Sequence, residues 1–301
     1  MRIGLIDTDG HNFPNLPLMK ISTWHKKRGD TVEWYTYFTG NFDKVYVAKV
    51  FDYTPDYLYD INATLVVRGG TGYGTDSFLM KDIEHSYPDY SIYPRYMEAY
   101  GFLTRGCPRN CPFCIVSAKE GYVSHKVADL SEFWNGQAAI KLLDPNFLAC
   151  KDREDLLLQL IDSKAYIDFT QGLDIRLISQ DVIKLLKKCR MKTLHFAWDT
   201  EKDSDIVYKN LLLLKESQAY RMRDVVVYVL TNYDTSWEFD LHRIYTLRSL
   251  GAFPFVMIYN KSKADYKYIK LQSWTNNKIL FSVCEKFEDY DTRKKPKGGE
   301  N

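Results

Sequence analysis

A chain of 301 residues, 45% hydrophobic and 27% charged, is long enough to bury a sizeable core as one large domain or two modest ones. Its net charge of +2 is nearly neutral for this length, so composition indicates neither nucleic acid nor an anionic membrane surface as a partner. The opening MRIGLIDTDGHNF lacks the basic-then-apolar pattern of a secretory leader, and no apolar run approaches membrane-spanning length; a cytoplasmic protein with no membrane partner is expected.

In chain order, residues 2–7 form a short apolar strand, and residues 16–28 carry Leu16, Met19, Ile21 and Trp24 at roughly helical spacing, stopped by Gly29. Residues 31–37 and 44–51 are strand-like again, and residues 63–67 make a buried-looking run that ends at RGGTGYG. The pattern predicts a small Rossmann-like parallel sheet over residues 1–95, closed by the proline- and tyrosine-rich SYPDYSIYP. From there the alternation is more regular. Strands are expected near 100–104, 139–143, 166–170, 193–197, 225–230 and 255–259, separated by helical stretches such as REDLLLQLIDSKA and SWEFDLHRIYTLRSLG. Strands alternating with helices imply parallel pairing, so an α/β chain is predicted, with a partial (β/α)6 TIM-type barrel over residues 96–285. The charged, glycine-containing end, residues 286–301, reads as a disordered tail.

The stretch GFLTRGCPRNCPFCIV places Cys107, Cys111 and Cys114 within eight residues, just after the first barrel strand, with no fourth cysteine near. In a reducing compartment such thiols are available for metal or catalysis. The spacing lets one short loop wrap an iron-sulfur cube and offer a thiolate to each of three irons, leaving the fourth open. Pro108 and Pro112 stiffen that loop, and Gly106 relieves its start. The rival readings are a structural zinc site completed by His125 or a remote cysteine, within a non-catalytic recognition module, and three buried free thiols. Cys150, Cys189 and Cys284 are scattered singly and read as small hydrophobes.

The C-x3-C-x2-C loop resembles that of the radical S-adenosylmethionine family. The resemblance implies a [4Fe-4S] cluster whose open iron binds S-adenosylmethionine. It further implies reductive cleavage to a 5'-deoxyadenosyl radical acting on an unknown substrate, and a low-potential electron donor, a flavodoxin or ferredoxin. By the same resemblance Phe113 lies near the adenine. Where the family often has Gly-Gly-Glu this chain has LLDPN, leaving Asp144 as an acceptor for the methionyl ammonium or as a turn former before Pro145. After the third strand, TQGLDIR places Gln171, Asp174 and Arg176 at the expected barrel mouth, with a buried Asp174–Arg176 ion pair as the competing reading. Asp199, after the fourth strand, is assigned by analogy to the ribose hydroxyls.

The first region is similar to the cobalamin-binding domain that precedes the barrel in one radical branch. That domain's Asp-x-His-x-x-Gly motif is matched only in part, by Asp9 and His11 with Pro14 where the glycine would stand. Cobalamin therefore ranks below a degenerate domain used in docking or substrate selection, and methyl transfer is the expected outcome only where cobalamin binds.

Overall fold

The computed structural model describes residues 1–10 and 13–290 of a mixed α/β chain. His11 and residues 291–301 lie outside the described residues. Two compact units are present, Met1–Thr170 and Gln171–Asn301.

The first unit opens with β1 (Arg2–Asp7), α1 (Leu16–Lys27), β2 (Thr31–Trp34), β3 (Phe42–Ala48) and β4 (Ala63–Gly69). All four strands run parallel in the order β2-β1-β3-β4. Asn15 starts α1 by accepting the Leu18 N–H at 3.2 Å, and Pro17 suits the first turn, where its missing N–H costs nothing. The helix lays Leu18 and Ile21 on Ile3 and Leu5 of β1, while Ile6, Val45 and Val47 face the other side with Tyr35 and Phe42. Burial on both faces explains why β1 reads as a continuous apolar run, each such side chain contributing about 1.5–3 kcal/mol.

A second sheet follows within the same unit. After the short α2 (Lys81–Glu84) come β5 (Ala99–Gly101), β6 (Thr104–Arg105), α3 (Val116–Glu120), β7 (His125–Lys126), β8 (Ala139–Leu142), α4 (Arg153–Ser163) and β9 (Tyr166–Phe169). Strands β5, β8 and β9 pair in parallel in the order β5-β8-β9, and β6 pairs antiparallel with β7. The division expected near residue 95 falls inside this unit. Tyr90 ties the two parts together, its hydroxyl donating to the Phe133 carbonyl at 2.6 Å and accepting the Tyr100 N–H at 3.0 Å.

The second unit contains α5 (Gln180–Leu186), β10 (Leu194–Ala197), α6 (Ser204–Glu216), β11 (Val225–Thr231), α7 (Trp237–Leu250), β12 (Phe253–Ile258), α8 (Tyr266–Asn276) and α9 (Lys278–Val283). Its parallel sheet has the order β10-β11-β12. Ser236 caps α7 through the Phe239 N–H at 3.1 Å, and Gly251 ends it in the left-handed conformation. The chain stays folded beyond residue 285: Phe287 and Tyr290 pack on a core of Ile244, Val256, Leu271, Trp274 and Phe281. Strand pairings among the described residues do not close a barrel.

Candidate functional site

The three cysteines sit on one loop between β6 and α3. Each is half-buried, and none of the six cysteines forms a disulfide. The loop is pinned where it begins. Gly106 N–H donates to Glu120 Oε2 at 3.2 Å, Cys107 N–H donates to the Gly121 carbonyl at 3.1 Å, and Arg105 pairs with Glu120 at 2.8 Å. Gly106 has a φ of +84°, and a Cβ there would stand 2.2 Å from the Val123 carbonyl oxygen, so only glycine fits. Farther along, Cys114 N–H closes a turn on the Cys111 carbonyl at 3.0 Å, and Ser117 Oγ donates to Asn110 Oδ1 at 3.0 Å. Phe113 is half-buried within that turn.

Two residues of the segment after β8 serve this loop. Asp144 is 3% exposed, and its carboxylate accepts the Leu103 N–H at 3.2 Å, the Thr104 N–H at 2.5 Å and the Thr104 hydroxyl at 2.7 Å. These donors would otherwise continue the sheet ladder, so the strand expected over residues 100–104 divides into β5 and β6. Burial pushes the Asp144 carboxyl from its ordinary 3.8 up to about 6, against the opposing pull of its hydrogen bonds. Both oxygens are thus directed to the backbone three and four residues before Cys107. Asn146, 2% exposed, donates its side-chain amide to Cys107 Sγ at 3.5 Å. It stands two residues beyond Asp144 in LLDPN, and its position in that polar stretch was the only signal for it in the sequence.

The glycine-rich loop after β4 also reaches this region. Lys119 of α3 donates to the Thr71 hydroxyl, and burial lowers its pKa. Gly70 has a φ of +102°, and a Cβ there would lie 2.3 Å from the Lys49 carbonyl oxygen. Packing against the end of β3 accounts for this glycine.

The remaining sequence-predicted residues belong to the second unit. Asp174 is buried and caps a turn at Ile175–Leu177; its carboxylate takes Arg176 Nε at 2.9 Å and Nη2 at 2.7 Å. Arg176 also lies 3.6 Å from Asp203, whose Oδ2 accepts the Thr200 hydroxyl at 2.9 Å. The ion-pair reading of Asp174 and Arg176 is therefore what the geometry displays. Gln171 is exposed and Asp199 half-buried. A feature missed in the sequence lies nearby: Asp240 and Arg243 form an ion pair with both side chains fully buried, and Arg243 also donates to the carbonyls of Trp198 and Leu230. Its two partners stand three residues apart in the carboxylate-first order common on exposed helix faces, which hid its burial.

Among the described residues, no three His, Cys, Asp or Glu side chains gather as a set that would hold a single metal ion. His125 lies exposed on β7, with Nδ1 3.1 Å from the Val123 carbonyl. No described helix is long and apolar enough to cross a membrane. No family model matches the chain, and no curated protein matches it.

Proposed function

We propose that the chain is a radical S-adenosylmethionine enzyme in which Cys107, Cys111 and Cys114 hold a [4Fe-4S] cluster and leave one iron for S-adenosylmethionine. The observation that carries this reading is the loop itself: three half-buried thiols outside any disulfide, on a short segment pinned at its start, with an amide N–H on one sulfur. In a cube each thiolate takes a different iron, so the sulfurs stand apart around it.

When bound, the cluster supplies the electron that splits S-adenosylmethionine into methionine and a 5'-deoxyadenosyl radical. The chain's own residues position and tune. Asn146 places an N–H on Cys107, where it offsets negative charge at the sulfur. Asp144 acts as a positioning residue, holding Leu103 and Thr104 so that the loop leaves the sheet in one direction. Phe113 offers its half-buried ring to the adenine. In the second unit the Asp174–Arg176 pair braces its turn.

The partial (β/α)6 barrel belongs to the same proposal and is supported by the two parallel three-stranded sheets with intervening helices. The electron would come from a flavodoxin or ferredoxin, in the cytoplasm where thiols stay reduced. For the first sheet we favour a domain without corrinoid, because Lys49 accounts for the glycine loop. Iron and sulfide analysis of anaerobically reconstituted protein tests the reading. About four of each per chain, in brown protein, is the expected result; colourless protein carrying zinc would overturn it.

A further inference from the structure

A cavity of about 760 Å³ at the carboxyl ends of the first sheet has no part in the reading above. Its size is that of a small-molecule pocket. It borders the end of β1, about which the order β2-β1-β3-β4 reverses direction; open α/β sheets take ligands at such switch points. The walls are aromatic, with Trp34 at the end of β2, Tyr57 beyond β3, and Tyr93 and Tyr96 ahead of β5.

These rings are fixed in advance. Trp34 and Tyr93 meet edge to face with centroids 5.2 Å apart, Trp34 Nε1 donates to the Ile92 carbonyl at 3.2 Å, and the Tyr93 hydroxyl donates to Asp7 Oδ2 at 2.7 Å. A wall already ordered loses little freedom when a ligand enters. Three charged groups line the same cavity: the half-buried Asp7 carboxylate at the end of β1, the exposed Asp56 carboxylate, which accepts the Tyr73 hydroxyl, and the exposed Arg95 guanidinium.

We infer that this cavity is a binding site for a guanine-type nucleotide. Several aromatic rings around one space select a flat ligand, since any base offers a π-face for stacking. A carboxylate only accepts hydrogen bonds, so the ligand edge facing Asp7 must donate. Guanine presents a ring N–H and an amino N–H side by side, a pair that matches the two oxygens of a carboxylate. Arg95 supplies the planar fork that suits a phosphate. The inference does not depend on the cysteine loop, and protein without any cluster tests it.

The test is equilibrium dialysis of the full chain against GMP, AMP, guanosine, choline and hydroxocobalamin. Saturable binding of one GMP per chain is expected, with AMP weaker by about ten-fold or more, the effect of one good edge contact. Asp7→Asn should weaken GMP by a similar factor. Arg95→Ala, at an exposed position, should weaken GMP and leave guanosine unchanged. Because Asp7 also accepts from Tyr93, thermal unfolding of Asp7→Asn is measured alongside; if that variant does not fold, Arg95→Ala decides. Absence of saturable GMP binding, indifference of GMP to Arg95→Ala, or preference for choline or hydroxocobalamin would overturn the inference.

Discussion

The side-chain amide of Asn146 donates to the sulfur of Cys107 across 3.5 Å, from the same segment whose Asp144 clamps the chain three residues before that cysteine. One turn after β8 therefore both aims the cysteine loop and contacts its first sulfur.

Hydrogen bonds to sulfur ligands set the potential of iron-sulfur clusters. The N–H stabilises the more electron-rich reduced state more than the oxidised one. Asn146→Ala should thus retain its iron but shift the midpoint potential to more negative values, as followed by an EPR-monitored redox titration. An unchanged potential in a fully loaded variant would remove Asn146 from any tuning role.

Asp144→Ala leaves the buried Leu103 and Thr104 N–H groups without their acceptor. At about 1–3 kcal/mol for each stranded donor, a loss of roughly 2–6 kcal/mol is expected in urea unfolding. Affinity for S-adenosylmethionine, measured on the fraction that carries a cluster, should stay near that of the wild type. A large loss of that affinity with normal stability would instead make Asp144 a ligand contact.

The same carboxyl yields a pH signature. Its folded pKa, about 6, lies above the ordinary 3.8, so the folded state holds the proton more tightly. Stability contributed by Asp144 is full below the lower value, falls as pH rises through this window and is level above it. Asp144→Asn abolishes the titration, so the stability difference between wild type and variant should change across that window and flatten beyond it. A difference independent of pH would contradict the raised value.

Much of this was readable in the sequence, for a physical reason. The strands β1 and β11 announce themselves because burial on both faces makes near-continuous apolar runs, β8, β9 and β10 because buried apolar residues alternate along them, α1 because its apolar residues recur at helical spacing, and α7 because its caps are chemically distinctive. The β5–β6 break was not readable, since it arises from a carboxylate some forty residues away. Nor was the packing of Phe287 and Tyr290, which lie in a stretch as rich in charge as the residues that follow it in the sequence. The cysteine loop was legible as chemistry because its spacing is local; the Asn146 contact was not, because side-chain partners distant in sequence leave no periodic trace.

The Asp240–Arg243 pair offers a test of the second unit by itself. Arg243→Ala strands a fully buried carboxylate and takes a donor from the Trp198 and Leu230 carbonyls, for an expected cost of about 3–5 kcal/mol. Replacing both partners by apolar residues, as in Asp240→Leu with Arg243→Met, should cost less than the single change. Chemical denaturation of both variants checks the order, and a double variant weaker than Arg243→Ala would refute it.

The six cysteines separate by environment. Cys150 and Cys189 are buried, and burial raises both thiol pKa values, that of Cys189 to about 11. Changing Cys107, Cys111 or Cys114 to Ala should abolish the reconstituted cluster, whereas Cys150→Ala, Cys189→Ala and Cys284→Ala should keep its iron and visible absorbance. An equal requirement for one of the latter three would supply a fourth thiolate and close the site to S-adenosylmethionine.

The central claim, an iron left open for S-adenosylmethionine, is tested most directly by product analysis of reconstituted protein reduced with dithionite in the absence of substrate. Slow formation of 5'-deoxyadenosine and methionine in equal amounts, lost in Cys111→Ala, is the predicted result. A complete four-iron cluster that yields no 5'-deoxyadenosine under strong reduction would contradict it.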